Sequence, residues 1–151
     1  MSSSDPARVL VVANRTAATP ALLETVRARA ARGNVTFALL VPAAAHGLAR
    51  VADPEDTDTS EAHASLDLAL PLLEEAAGAP VEGLVGDPDP FLAIQDAVNL
   101  HGFDELIIST LSPRVSRWLR MDLPRRLTVL GIPITTVTAA GQVQVVSEGR
   151  V

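Results

Sequence analysis

Five arginines, Arg114, Arg117, Arg120, Arg125 and Arg126, stand in the segment RVSRWLRMDLPRR, out of twelve in the whole chain. Arg114 and Arg117 lie one helical turn apart, as do Arg117 and Arg120, so a helix would bring these guanidinium groups together. A guanidinium fork takes phosphate or carboxylate through two parallel hydrogen bonds. The preceding Ser112 and Pro113 have the pattern of a helix start, whose free N–H groups also favour anions. The chemistry predicted here is the binding of a small anion. The competing reading is a solvated arginine face, or one paired with the acidic residues of 53–61.

Other chemistry is scarce. The chain has no Cys, no Lys and no Tyr. That excludes disulfides, thiolate metal sites, cysteine nucleophiles, a P-loop lysine and a Schiff-base lysine. His46, His63 and His101 have no metal-chelating spacing; His101, before Gly102, suits the negative end of a helix. The acidic run DPEDTDTSE lacks the glycine and terminal glutamate of a calcium loop. Asp87 and Asp89 look like an acid–base pair, but Asp89 before Pro90 reads as a helix cap and Asp87 as a turn residue. No Gly-x-Ser-x-Gly elbow is present. Trp118, the one Trp, either stacks on a ligand or packs a helix, and packing is the expectation.

These residues need a scaffold, and composition bounds it. A chain of 151 residues with 48% hydrophobic and 20% charged residues makes a single globular domain. The expected division is a core over 7–138 and a C-terminal strand and tail over 139–151. No apolar run reaches membrane-spanning length. A net charge of −6 argues against nucleic-acid partners, which require a basic surface. The polar start, with no apolar signal-like run, leads to the expectation of a cytoplasmic protein.

Short β-branched runs punctuate the chain at 8–13 (RVLVVA), 35–41 (VTFALLV), 105–109 (ELIIS) and 134–137 (ITTV), the pattern of strands covered on both faces, and 81–85, which contains Gly83, reads as a weaker strand. Between them lie amphipathic helices. Thr19 before Pro20 caps the first, with Leu22, Leu23, Val26 and Ala30 on one stripe and a stop at Gly33. Residues 42–60 have no apolar period and read as an irregular, poorly ordered loop. Residues 61–77 read as a helix that Pro71 kinks or splits. Asp89 and Pro90 open a helix ending at Gly102. Ser112 with Pro113 opens another, and Asp122 with Pro124 restarts it as far as Gly131. Residues 142–146 (QVQVV) alternate like an edge strand.

Five βα alternations predict an α/β, doubly wound, five-stranded parallel sheet of order 3-2-1-4-5, with a possible extra C-terminal edge strand. Ligands of such sheets bind beyond the carboxyl ends of the strands, where the strand order reverses, here between the first and fourth strands. The candidate ligand-binding residues are Ala13, Asn14, Arg15 and Thr16 after the first strand, Val41 after the second, and Gly86 and Asp87 after the third. After the fourth they are Ser109, Thr110, Ser112, Arg114, Ser116 and Arg117.

The runs VLVVAN at 9–14, GDPDPFLAI at 86–94, DELIIST at 104–110 and GIPITTV at 131–137 resemble the universal stress protein family from Arg8 to Val137. The resemblance implies a non-catalytic ATP-binding or regulatory domain that dimerises through its last strand. In that family the first strand ends in an acidic residue, and a Gly-x2-Gly-x9-Gly-Ser/Thr run after the fourth wraps phosphates. Here Asn14 stands at the acidic position, and Ser109, Ser112 and Asp122 with Leu123 stand at the glycine motif. Side chains there keep backbone N–H groups from phosphate, and an Asp repels it. The sequence therefore predicts a domain that binds a small anionic or nucleotide-like ligand, or serves as a regulatory interaction module, with weak or no ATP binding. Alternatives are ATP or AMP held by a rearranged phosphate loop, and an enzyme of a related nucleotide-binding α/β fold, although the His-x-Gly-His motif of adenylyl-transferring relatives is absent. An exposed last strand predicts a homodimer through the C-terminal edge, unless residues 142–146 fold back to cover that edge in a monomer.

Overall fold

The computed structural model describes residues 5–13, 17–43, 54–111, 116–141 and 143–147. Its strands are β1 (Ala7–Val12), β2 (Val35–Pro42), β3 (Val81–Gly86), β4 (Glu105–Thr110), β5 (Ile134–Thr138) and β6 (Val143–Ser147). Its helices are α1 (Pro20–Ala31), α2 (Pro54–Ala77), α3 (Pro90–His101) and the single turns α4 (Arg117–Arg120) and α5 (Leu123–Arg126), followed by a 3-10 turn at Leu127–Leu130. The strands form one sheet of order β3-β2-β1-β4-β5-β6. All pairings are parallel except β5 with β6. The expected α/β sheet is present, extra edge strand included.

Period-two alternation sorts the sheet into two apolar layers. Val9, Val11, Phe37, Leu39, Val81, Ile107 and Val137 pack with Leu22 and Val26 of α1 and Leu66, Ala69 and Leu73 of α2. Leu10, Val12, Leu40, Leu106, Ile108 and Ile134 pack on the other face with Ala93, Ile94 and Ala97 of α3 and with Leu123 and Leu127. The central strands β1 and β4 are buried on both faces, which is why they read as continuous apolar runs.

The helix starts follow the predicted chemistry. Thr19 Oγ1 accepts from the Leu22 N–H at 3.4 Å, and Asp89 Oδ1 accepts from the Phe91 N–H at 2.9 Å. Gly102 closes α3 in the left-handed conformation, at φ 72°, where a side chain would be strained.

The structure corrects one of these expectations and narrows others. Residues 54–60 are helical, so α2 begins seven residues before the predicted 61; the stretch has no apolar stripe, and periodicity could not find it, although Pro54 stands at the first helical position, where proline is tolerated. The helix runs through Pro71 without splitting. Leu66, Ala69, Leu73 and Ala76 bury a continuous stripe on either side of the proline, and that packing outweighs one missing backbone bond. The fourth strand's following helix is capped by Ser116, whose Oγ accepts from the Leu119 N–H at 3.1 Å, whereas Ser112 and Pro113 lie outside the described residues. Of the two arrangements expected for residues 142–146, the structure has the fold-back: β6 lies antiparallel on β5 of its own chain, with Thr135 opposite Val145 and Val137 opposite Val143. The edge of β5 is thus covered from within the chain, and the edge strands of the sheet are β3 and β6.

Candidate functional site

The strand order reverses at β1 and β4, which lie side by side while the helices α1 and α5 that follow them pack on opposite faces of the sheet. The predicted residues cluster at this end. Ala13 is buried at the tip of β1, its N–H donating to the Leu40 carbonyl at 3.1 Å. Val41 is buried near the tip of β2, and Gly86 ends β3 opposite Pro42. Ser109 and Thr110 end β4, opposite Val137 and Thr138 of β5. Ser116 is buried and Arg117 is exposed at the start of α4. Asn14, Arg15, Thr16, Ser112 and Arg114 lie outside the described residues.

One physical property distinguishes this end. The buried polar residues among those described are Ser109, Thr110, Ser116, Thr136 and Thr138, and they all lie on the outer half of β4 and β5 or at the start of α4. All five are hydroxyls. Alternation places Thr110, Thr136 and Thr138 on the α3 side, with Ser109 on the α1 side. Their hydrogen-bonding capacity is divided. Thr110 donates its proton to the Leu111 carbonyl at 2.9 Å, which leaves its oxygen to accept. Ser116 accepts from the Leu119 N–H and so keeps a proton to donate. Thr136 Oγ1 has no partner although it is buried, a condition that native cores rarely tolerate.

Thr136 and Thr138 were missed by the sequence reading. The signal was present: in ITTVT the threonines at 136 and 138 are two apart and share a face, so the strand carries a polar stripe where its neighbours are apolar.

Several predicted contributors turn out to have structural duties. Asp87 Oδ1 accepts from the Asp89 N–H at 2.9 Å, and Asp89 caps α3; both carboxylates serve backbone donors, the turn and cap the sequence suggested. Gly86 packs against α3. A Cβ added there would lie 2.7 Å from Ala93 Cβ and 3.0 Å from Leu40 Cδ1. Leu123, at the serine or threonine position of the family motif, is fully buried in the α3-side core. Trp118 packs against the same core as a partly buried side chain, as expected. The arginines of α4 and α5 are exposed, and Arg126 lies over the Phe91 ring at 4.8 Å from its centroid. Asp122 takes the left-handed conformation at φ 59° and makes no side-chain cap to α5. Its backbone therefore has the shape that the family's glycine would give it. Among the described residues, no cluster of His, Asp and Glu is arranged to hold a metal ion, and no helix is long and apolar enough to cross a membrane.

No family model and no curated protein matches the chain. Solved structures do. One is a universal stress protein determined in complex with cAMP, which is 16% identical, covers 87% of this chain and 97% of its own length, and superposes with a TM-score of 0.60. At this identity the likeness concerns the backbone, and it agrees with the strand order found here. The chain has the fold of a universal stress protein.

Proposed function

We propose that this protein is a non-catalytic, universal-stress-protein-like domain that binds a small anionic, nucleotide-like ligand at the carboxyl ends of β1 and β4. The observation that carries the reading is the gathering of the buried hydroxyls Ser109, Thr110, Ser116, Thr136 and Thr138 beside the point where the strand order reverses. Hydroxyls donate and accept without a charge of their own, which suits sugar and phosphate oxygens. Arg117, exposed beside Ser116, adds a fork for an anionic group. The cAMP in the neighbouring stress protein supports a nucleotide monophosphate over a triphosphate, as do the departures at Ser109, Ser112, Asp122 and Leu123. AMP or cAMP is the expected ligand class, and ATP the weaker one.

Native mass spectrometry of the purified protein, followed by calorimetric titration with cAMP, AMP, ATP and small carboxylates, tests this. The expected order is cAMP or AMP ahead of ATP, and the double change Thr110→Val with Thr138→Val should weaken the leading ligand by about tenfold or more, the loss of one to two hydrogen bonds. Tight ATP binding, or no binding by any nucleotide, overturns the reading.

As a single domain working in the cytoplasm, in a stress-response or other regulatory role, the protein would assemble as a homodimer through its C-terminal edge. The support is the open edge of β6, where Val143 and Val145 are 56% and 54% exposed. A symmetric pairing of two such edges covers both. Light scattering should give a dimer mass at tens of micromolar, roughly the range of a weak association, and a monomer after removal of residues 142–151. A full-length monomer at that concentration refutes the dimer.

A further inference from the structure

The opposite, amino-terminal end of the sheet carries a cleft of about 320 Å³ on the α3 side. It shares no residue with the site above. Register arranges its lining: Arg8 of β1 is level with Thr36 of β2, and Ala38 of β2 is level with Glu82 of β3. Alternation turns all four toward the same face. Ala38 follows Phe37 and precedes Leu39 and Leu40, so the one small residue of that run forms the floor. The buried Phe103 forms a wall.

The two charged groups differ in how they are held. Arg8 donates from Nη1 to the carbonyl of His101 at the end of α3, and its guanidinium lies over the Phe103 ring at 4.9 Å from the centroid. It is a positioned cation with further N–H groups to offer. Glu82 is exposed, and among the described residues it forms no side-chain hydrogen bond or ion pair. Strand β2 separates the two, so their Cα atoms stand roughly 12 Å apart, from two interstrand spacings and an offset of two residues. Opposite charges thus face one apolar-floored cleft without joining each other.

We propose that this cleft binds a small zwitterion with an apolar middle, a short peptide or an ω-amino acid, its carboxylate on Arg8 and its ammonium on Glu82. The volume suits such a ligand, since it lies at the small end of the range for small-molecule sites. A simple anion would meet the repulsion of Glu82, and a simple cation that of Arg8. A zwitterion answers both.

The test is an amide-detected NMR titration of the full chain with ε-aminocaproate and with leucyl-glycine, against caproate and hexylamine, which each keep one charge. Saturable shifts are expected at Thr36, Ala38, Val81 and Phe103, with a Kd of about 1 mM. Caproate and hexylamine should each bind at least about tenfold more weakly, the loss of one charge-assisted contact. Glu82→Gln should cost the zwitterion a similar factor, and Glu82→Arg should turn the preference toward the dicarboxylate adipate. Glu82 is exposed on an edge strand, so both variants keep the fold, as circular dichroism will report. The proposal fails if the zwitterions give no saturable shift, if caproate binds as well as ε-aminocaproate, if Glu82→Gln changes nothing, or if the shifts appear at Ser109 and Thr138 instead.

Discussion

The two ends of the sheet are finished with different materials. At the amino end the fastenings are ionic. Arg29, at the end of α1, grips Glu105 at the start of β4 through three contacts of 2.7–3.1 Å, Asp104 accepts from the Arg8 N–H at 2.9 Å, and Glu74 of α2 accepts from the Val81 N–H at 3.0 Å. At the carboxyl end the buried polar groups are neutral hydroxyls, one of them without a partner. Charged side chains tie helix ends to strand starts, which is stabilising work. The buried hydroxyls lie at the end of the sheet where the strand order reverses, the place where ligands of this architecture bind. One end is thus fastened by charged side chains, and the other carries neutral buried hydroxyls beside the point where the strand order reverses.

Removing the buried ion pair breaks the first half of that contrast. Arg29 and Glu105 are mostly buried, at 11% and 23% side-chain exposure, so Arg29→Ala leaves a carboxylate without its partner and should cost about 2 kcal/mol in a urea titration, less than for a fully buried pair because Glu105 retains some water. The hydrogen bond to Glu105 raises the guanidinium above its ordinary pKa, and burial opposes it. A group whose pKa rises on folding stabilises at every pH below its unfolded value and loses that contribution only as pH climbs through the folded one. The destabilisation of Arg29→Ala should accordingly stay constant from neutral pH through the mildly alkaline range. A loss near zero would mean that the ionic end is ornament on a fold held by apolar burial alone.

Next in size is a change at the carboxyl end that leaves every hydroxyl in place. Gly86→Ala puts a methyl 2.7 Å from Ala93 Cβ, and because that atom is fixed to the backbone of α3, α3 or β3 must shift. The expected cost is about 2 kcal/mol, within the range for overpacking. If thermal unfolding shows no loss, Gly86 is present for a ligand and not for the approach of α3, and its place among the candidate contacts gains weight.

Much of this architecture was legible because most strands are β-branched runs and most helices carry their own cap. Thr19 with Pro20 and Asp89 with Pro90 mark helix starts by hydrogen-bonding chemistry that acts over a few residues, so it survives in a bare sequence. The start of α2 was not legible, since a helix turn with no apolar stripe leaves no period to detect. The site was half legible. Topology pointed to the tips of β1 and β4, but Thr136 and Thr138 sit in a run whose β-branched character marked it only as a strand. The zwitterion cleft could not be read at all: Arg8, Thr36, Ala38 and Glu82 lie on three strands, and only register makes them neighbours.

Thr136→Val sharpens the second half of the contrast. Valine keeps the shape of threonine and removes an unpartnered buried hydroxyl, so the free protein should gain about 1 kcal/mol. If the hydroxyl serves the ligand, the same change should weaken nucleotide binding while the fold becomes more stable. Opposite signs in the two measurements would mark a residue kept for binding at the expense of stability. A loss of stability would show that Thr136 is satisfied in solution and belongs to the scaffold.

The smallest effect concerns Asp122. It occupies the left-handed region at φ 59°, a conformation that aspartate tolerates better than most residues and glycine adopts freely. Its N–H donates to the Leu119 carbonyl and its carbonyl accepts from the Arg126 N–H, both at 3.0 Å, and these main-chain bonds survive substitution. Its side chain does not cap α5. Asp122→Gly therefore relieves local strain without losing a backbone contact, against a modest rise in the entropy of the unfolded chain, and the net gain should be about 0.5 kcal/mol. The companion change to the family pattern, Leu123→Ser, behaves oppositely because it empties a fully buried core position and should cost about 3 kcal/mol or more. Asp122→Gly alone thus separates the phosphate-facing question from the packing one. It removes a negative charge from the α4–α5 junction and restores a glycine backbone, so if that junction faces a ligand phosphate, ATP affinity rises in the variant relative to the parent. Equal ATP affinity in the two proteins would place the junction away from the ligand and leave nucleotide recognition to the hydroxyls of β4 and β5.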